Sequence, residues 1–133
     1  MNQNTILYST TNINPNPFNL GKYAIYEAPQ YQQNYYTVIN NRIQTQYASI
    51  SVSIIDSVYS GDSLTFLFSM YIPVLSKYPI DFLGIYDSKT NIVEFDGDTY
   101  YGSILFVSNK YAILNLKTGN GFQLFKSKLE KYN

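Results

Sequence analysis

Hydrophobic and polar residues alternate most regularly between Ser63 and Ile72, where the chain reads Ser-Leu-Thr-Phe-Leu-Phe-Ser-Met-Tyr-Ile. Leu64, Phe66, Phe68, Met70 and Ile72 share one parity, and Ser63, Thr65, Ser69 and Tyr71 share the other. Successive side chains of a pleated strand point to opposite faces, so this period of two predicts a strand with one apolar face. The same texture runs upstream from Arg42 to Tyr59, where Ile43, Thr45 and Tyr47 share one parity and Ile50, Val52 and Ile54 the other. A switch of parity near Ala48-Ser49 is what a β-bulge or a sharp bend produces. Ser60-Gly61-Asp62 then turns the chain into Ser63–Ile72, which makes a hairpin.

Downstream the pattern predicts a meander. Strands are expected over Ile80–Tyr86, Ile92–Phe95, Thr99–Val107, Tyr111–Leu116 and Phe122–Lys126. The connections between them are short and rich in Gly, Asn, Asp and Ser, the residues that tolerate turn geometry. Pro73 and Pro79 frame an irregular connection before the first of these strands. Lys128-Leu129-Glu130-Lys131 has the length of one helical turn, and no segment shows a sustained 3.6-residue period.

The first 41 residues are rich in Asn, Gln, Tyr and Pro. Asn12-Ile13-Asn14-Pro15-Asn16-Pro17 breaks regular structure, and short strands are expected at Thr5–Ser9, Lys22–Glu27 and Asn34–Ile39, with Ala28-Pro29-Gln30 separating the last two. The expected fold is therefore all-β: a single-domain antiparallel barrel or sandwich of about eight strands with a C-terminal meander. Residues 1–20 form an extended N-terminal arm, and 21–133 form the β domain.

Composition narrows the chemistry. There are 15 Tyr, 8 Phe and no Trp, and only 14% of the residues are charged. A small domain cannot bury that many phenols with their hydroxyls satisfied, so many Tyr are expected to be half-exposed. The absence of Cys and His removes thiol nucleophiles, imidazole bases and the commonest metal ligands. Neither a basic–apolar leader nor an apolar run near 20 residues is visible, so the expectation is an intracellular protein, in host-cell cytoplasm or virion, that does not enter membranes.

The neutral total conceals a division of charge. Residues Asp81 to Asp98 hold five acids against Lys89, whereas five lysines follow Thr99 against the single Glu130. Glu94, Asp96 and Asp98 are the candidate oxygen ligands for a hard cation such as calcium. Their spacing does not follow an EF-hand loop, and Asp-Gly is a common turn, so neither metal nor cofactor is expected. Ser76-Lys77 and Ser88-Lys89 are adjacent pairs whose side chains diverge on a strand, so no Ser-Lys dyad is expected. Tyr100, Tyr101, Lys110, Tyr111, Lys117, Lys126 and Lys128 are the expected interface or binding residues. The basic residues with Tyr100, Tyr101, Phe106, Tyr111, Phe122 and Phe125 could also make a stacking platform for single-stranded nucleic acid, a less favoured reading than aromatics in the core and lysines at hairpin tips.

Gly21-Lys22-Tyr23, followed by Tyr26-Glu27, resembles the opening of a lipocalin, in which a Gly-x-Trp sequence begins the first barrel strand; Tyr23 stands where that family has Trp. The resemblance covers about ten residues and implies a ligand-filled antiparallel barrel. The overall composition also resembles proteins of AT-rich genomes, including viruses of archaea, which implies a viral source. The function expected is that of a non-enzymatic binding or assembly protein acting through protein–protein contact, chiefly with itself. Exposed Tyr is favoured at interfaces, and the two charge segments could pair head to tail. The alternatives are a small-ligand or carbohydrate-binding barrel and, after it, a single-stranded nucleic-acid module.

Overall fold

The structure, a computed structural model, describes residues 20–22, 24–39 and 42–132, with the backbone alone over 29–39 and 42–47. Eight antiparallel strands form a closed barrel in which each strand pairs with its successor and the last pairs with the first. They are β1 (Ile25–Ile39), β2 (Arg42–Ser60), β3 (Ser63–Tyr71), β4 (Ile80–Asp87), β5 (Ile92–Asp96), β6 (Tyr100–Phe106), β7 (Tyr111–Thr118) and β8 (Gln123–Tyr132). Closure decides between the barrel and the sandwich and removes the edges of the barrel wall. The seam is short: Ile25, Tyr26 and Glu27 pair with Tyr132, Lys131 and Glu130. We name the end carrying the β1–β2, β3–β4, β5–β6 and β7–β8 connections the upper end.

The alternation seen in the sequence sets the inside and the outside. Leu64, Phe66, Phe68 and Met70 of β3 are buried, with Thr65, Leu67 and Ser69 between them on the outer face. Phe68, Phe82 and Phe95 pack at centroid distances of 4.8–5.5 Å in the upper half. Below them, Phe66 lies 5.4 Å from Tyr86, and Phe106 lies 5.3 Å from Tyr26. Gly84 makes room for these rings, because a Cβ there would run into Val93 Cγ1 and stand 3.1 Å from Phe68 Cε1. Side chains thus occupy the interior where the lipocalin resemblance implied a ligand. A small space beside Met70, Leu75, Phe82 and Tyr100 measures about 10 Å³, room for about one water.

Three local expectations are corrected. Residues 128–131 are strand, not a helical turn: Ser127 and Leu129 are buried while Lys126, Lys128 and Glu130 are exposed, a period of two. The two strands expected on either side of Pro29 are one strand, with register shifts against β2 between Ala28 and Tyr31 and between Gln32 and Tyr35. Pro lacks an N–H and is accommodated at such irregularities. The irregularity foreseen at Ala48-Ser49 therefore belongs to the facing strand; β2 itself is irregular against β3 between Ile54 and Asp56.

β1 and β2 stay paired as far as Ile39 and Arg42, beyond the last β2–β3 pair, Ser51 with Tyr71, so they run past the upper rim as a two-stranded ribbon. Residues 1–19 of the expected arm, with its Thr5–Ser9 strand, lie outside the described residues. Leu20, the first described residue, is fully buried in the core.

Candidate functional site

The outer face of β4 to β7 carries an open groove of about 860 Å³. Its side chains are ordered by cross-strand register. One row runs from Ile85 through Glu94, Ser103 and Asn115 to Lys126. Toward the upper end lies the row Asp96, Tyr101, Lys117 and Gln123, and toward the lower end the row Ile92, Leu105, Ile113 and Lys128. Gly102 lets β6 and β7 approach beneath the groove, since a Cβ there would collide with the Asn115 carbonyl oxygen.

One wall is apolar. Strand β4 buries Phe82, Gly84 and Tyr86, yet its other face presents Leu83 and Ile85 at 67% and 60% exposure. Leu67 of β3 lies opposite Leu83. The adjoining acids, Asp87, Glu94 and Asp96, are all exposed. Asp87 is tied into the β4–β5 turn, where its Oδ1 accepts the Lys89 N–H at 2.9 Å. The turn is completed by Asn91 at φ 59°, a left-handed conformation that Asn tolerates. The opposite wall is polar: Lys117 Nζ stands 5.9 Å from the Tyr101 ring centroid, and Asn115 Oδ1 accepts from Gln123 Nε2 at 2.6 Å.

The residues singled out from the sequence are divided by this geometry. Glu94, Asp96, Tyr101 and Lys117 come together in the groove. Asp98 sits outside it in the β5–β6 turn, and no cluster of three metal-ligating side chains forms among the described residues. Tyr100 turns inward against the core. Tyr111 lies at the lower end under Lys128, whose Nζ is 4.6 Å from its ring centroid, with Lys110 in the adjacent turn. Lys126 is exposed on β8, in the row of Glu94. The aromatic–basic platform is thus split between the groove and the lower end.

Leu83 and Ile85 were not singled out, although the uninterrupted run Phe82-Leu83-Gly84-Ile85-Tyr86 carries the signal. A strand apolar at both parities reads as one covered on both faces. No protein-family model, curated protein or solved structure matches the chain.

Proposed function

We propose that this barrel is a non-catalytic assembly protein that works through protein–protein contact, chiefly with its own kind, and that the β4–β7 groove is its contact surface. The observation that carries the reading is the outward pair Leu83 and Ile85, exposed side by side on a strand whose other face already serves the core. Exposed apolar side chains rimmed by polar ones mark interaction surfaces. The interior supports a scaffold role, because a ligand entering it would have to displace the aromatic core.

Light scattering across protein concentration tests the reading on the wild type and on Leu83→Ser/Ile85→Ser. The wild type is expected to exceed the 15.3 kDa of one chain, and the variant to fall back toward that mass with its β-sheet circular dichroism intact. Equal masses for the two proteins would remove the groove from the assembly.

A second reading, a saccharide stacked in the groove, is favoured by Tyr101 lying beside Asp96 and Asn115. It predicts glycan binding that Tyr101→Ala abolishes and Leu83→Ser leaves largely unchanged.

A further inference from the structure

We propose that the occupant of the groove is strand β8 of a second copy of this chain, seated through Lys126 and Lys128. The proposal rests on the groove being a protein contact surface, and it names the partner face. Lys126 and Lys128 are exposed, two residues apart on the outer face of β8. Glu94 and Asp96 are exposed and also two residues apart, on the outer face of β5. Both pairs therefore repeat at about 7 Å, the rise of two strand residues. Two ammonium groups at that pitch can meet two carboxylates at the same pitch without bending either strand.

The apolar wall fits the same occupant. A lysine has a long hydrocarbon stem that packs on apolar surface while its charged head reaches solvent or an acid. Leu83 and Ile85 stand on β4, next to the acids of β5, where two such stems would lie. A strand carrying alternate lysines thus answers the apolar wall and the acids beside it, the side of the groove away from Lys117.

These faces cannot satisfy each other within one molecule. Ser103 and Asn115 stand between Glu94 and Lys126 along their row, so their backbone positions are about 14 Å apart, three inter-strand spacings. Each copy therefore offers one acidic groove and one basic strand facing different directions. Contacts of this kind are heterologous and build rings or filaments rather than isologous pairs.

Charge reversal and charge exchange test the pairing, with all four substituted positions on the exposed surface. Glu94→Lys/Asp96→Lys and Lys126→Glu/Lys128→Glu are each expected to weaken self-association by roughly 100-fold, because like charges then face each other. The fourfold variant that combines them is expected to restore the wild-type mass and its sensitivity to salt. Reversals that keep the wild-type mass, or a fourfold variant that stays monomeric, would overturn the proposal. If Leu83→Ser/Ile85→Ser dissociates the assembly while the reversals do not, the groove remains the contact surface and β8 is not its occupant. A wild type that is monomeric at every concentration would overturn both readings.

Discussion

Tyr26 and Tyr86 belong to the same aromatic cluster, and their hydroxyls meet opposite fates. The Tyr86 hydroxyl donates to Asn91 Oδ1 at 2.7 Å, whereas that of Tyr26, only 1% exposed, has no partner among the described residues. An unsatisfied buried hydroxyl costs about 1–3 kcal/mol, so Tyr26→Phe is expected to leave stability unchanged or raise it by about 1 kcal/mol. Tyr86→Phe is expected to lower it by a similar amount; urea midpoints compare the two. Burial raises the pKa of both phenols, with a smaller contribution from Tyr86 at Tyr26 and from Asp87 at Tyr86. The folded state therefore holds these protons more tightly than the unfolded chain, whose phenols ionise near pH 10. The stabilisation is complete below about pH 10 and is lost above it, with a slope approaching about 1.4 kcal/mol per pH unit for Tyr26 and a shallower one for Tyr86. Tyr26→Phe is expected to flatten that alkaline decline. Composition implied that many of the 15 Tyr would be half-exposed, and Tyr59, Tyr71, Tyr78 and Tyr132 are exposed, but only register selects Tyr26 and Tyr86 for the interior.

Among the elements, β3 was the most legible, because its alternation is long and one face meets a core. Phe68→Ala is expected to cost about 3–5 kcal/mol by chemical denaturation, and Thr65→Asp on the outer face far less. Equal losses at the two positions would contradict the orientation of the strand. β8 was misread where it alternates just as strictly, because a four-residue window with three charges cannot distinguish a period of two from one of 3.6. By local rules Pro29 marks a boundary, because its N–H is missing, but a register shift within β1 itself takes up the irregularity and the strand continues. The groove was legible only in pieces. Glu94, Asp96, Tyr101 and Lys117 were visible as residue types, but what unites them is the hairpin register that sets Asp96 beside Tyr101 and Tyr101 beside Lys117. Such pairings depend on turn geometry to within one residue, and a one-residue slip turns every side chain to the other face.

For the molecule as a whole, barrel and sandwich share the same succession of strands, and only the pairing of the first with the last separates them. That pairing joins residues 25–27 to 130–132 and leaves no local trace in the sequence. It also sets Glu27 opposite Glu130, and like charges directly across a sheet are unfavourable. The consequence is kinetic. Every other interface joins neighbours in the chain, so the meander can assemble by successive hairpins, each closing a modest loop. The seam brings together strands at opposite ends of the described chain and has little to gain before the rest is in place, so it should close after the rate-limiting barrier. Tyr26→Ala at the seam is then expected to steepen the loss of the fold while hardly slowing its formation, and Phe68→Ala in the middle of β3 to slow formation itself. Stopped-flow chevrons separate the two effects, and a folding arm slowed by Tyr26→Ala as much as by Phe68→Ala would place closure before the barrier. On this order of events the barrel comes apart where it was last joined, so the time a molecule stays folded is governed by three residue pairs rather than by the phenylalanines packed in its upper half.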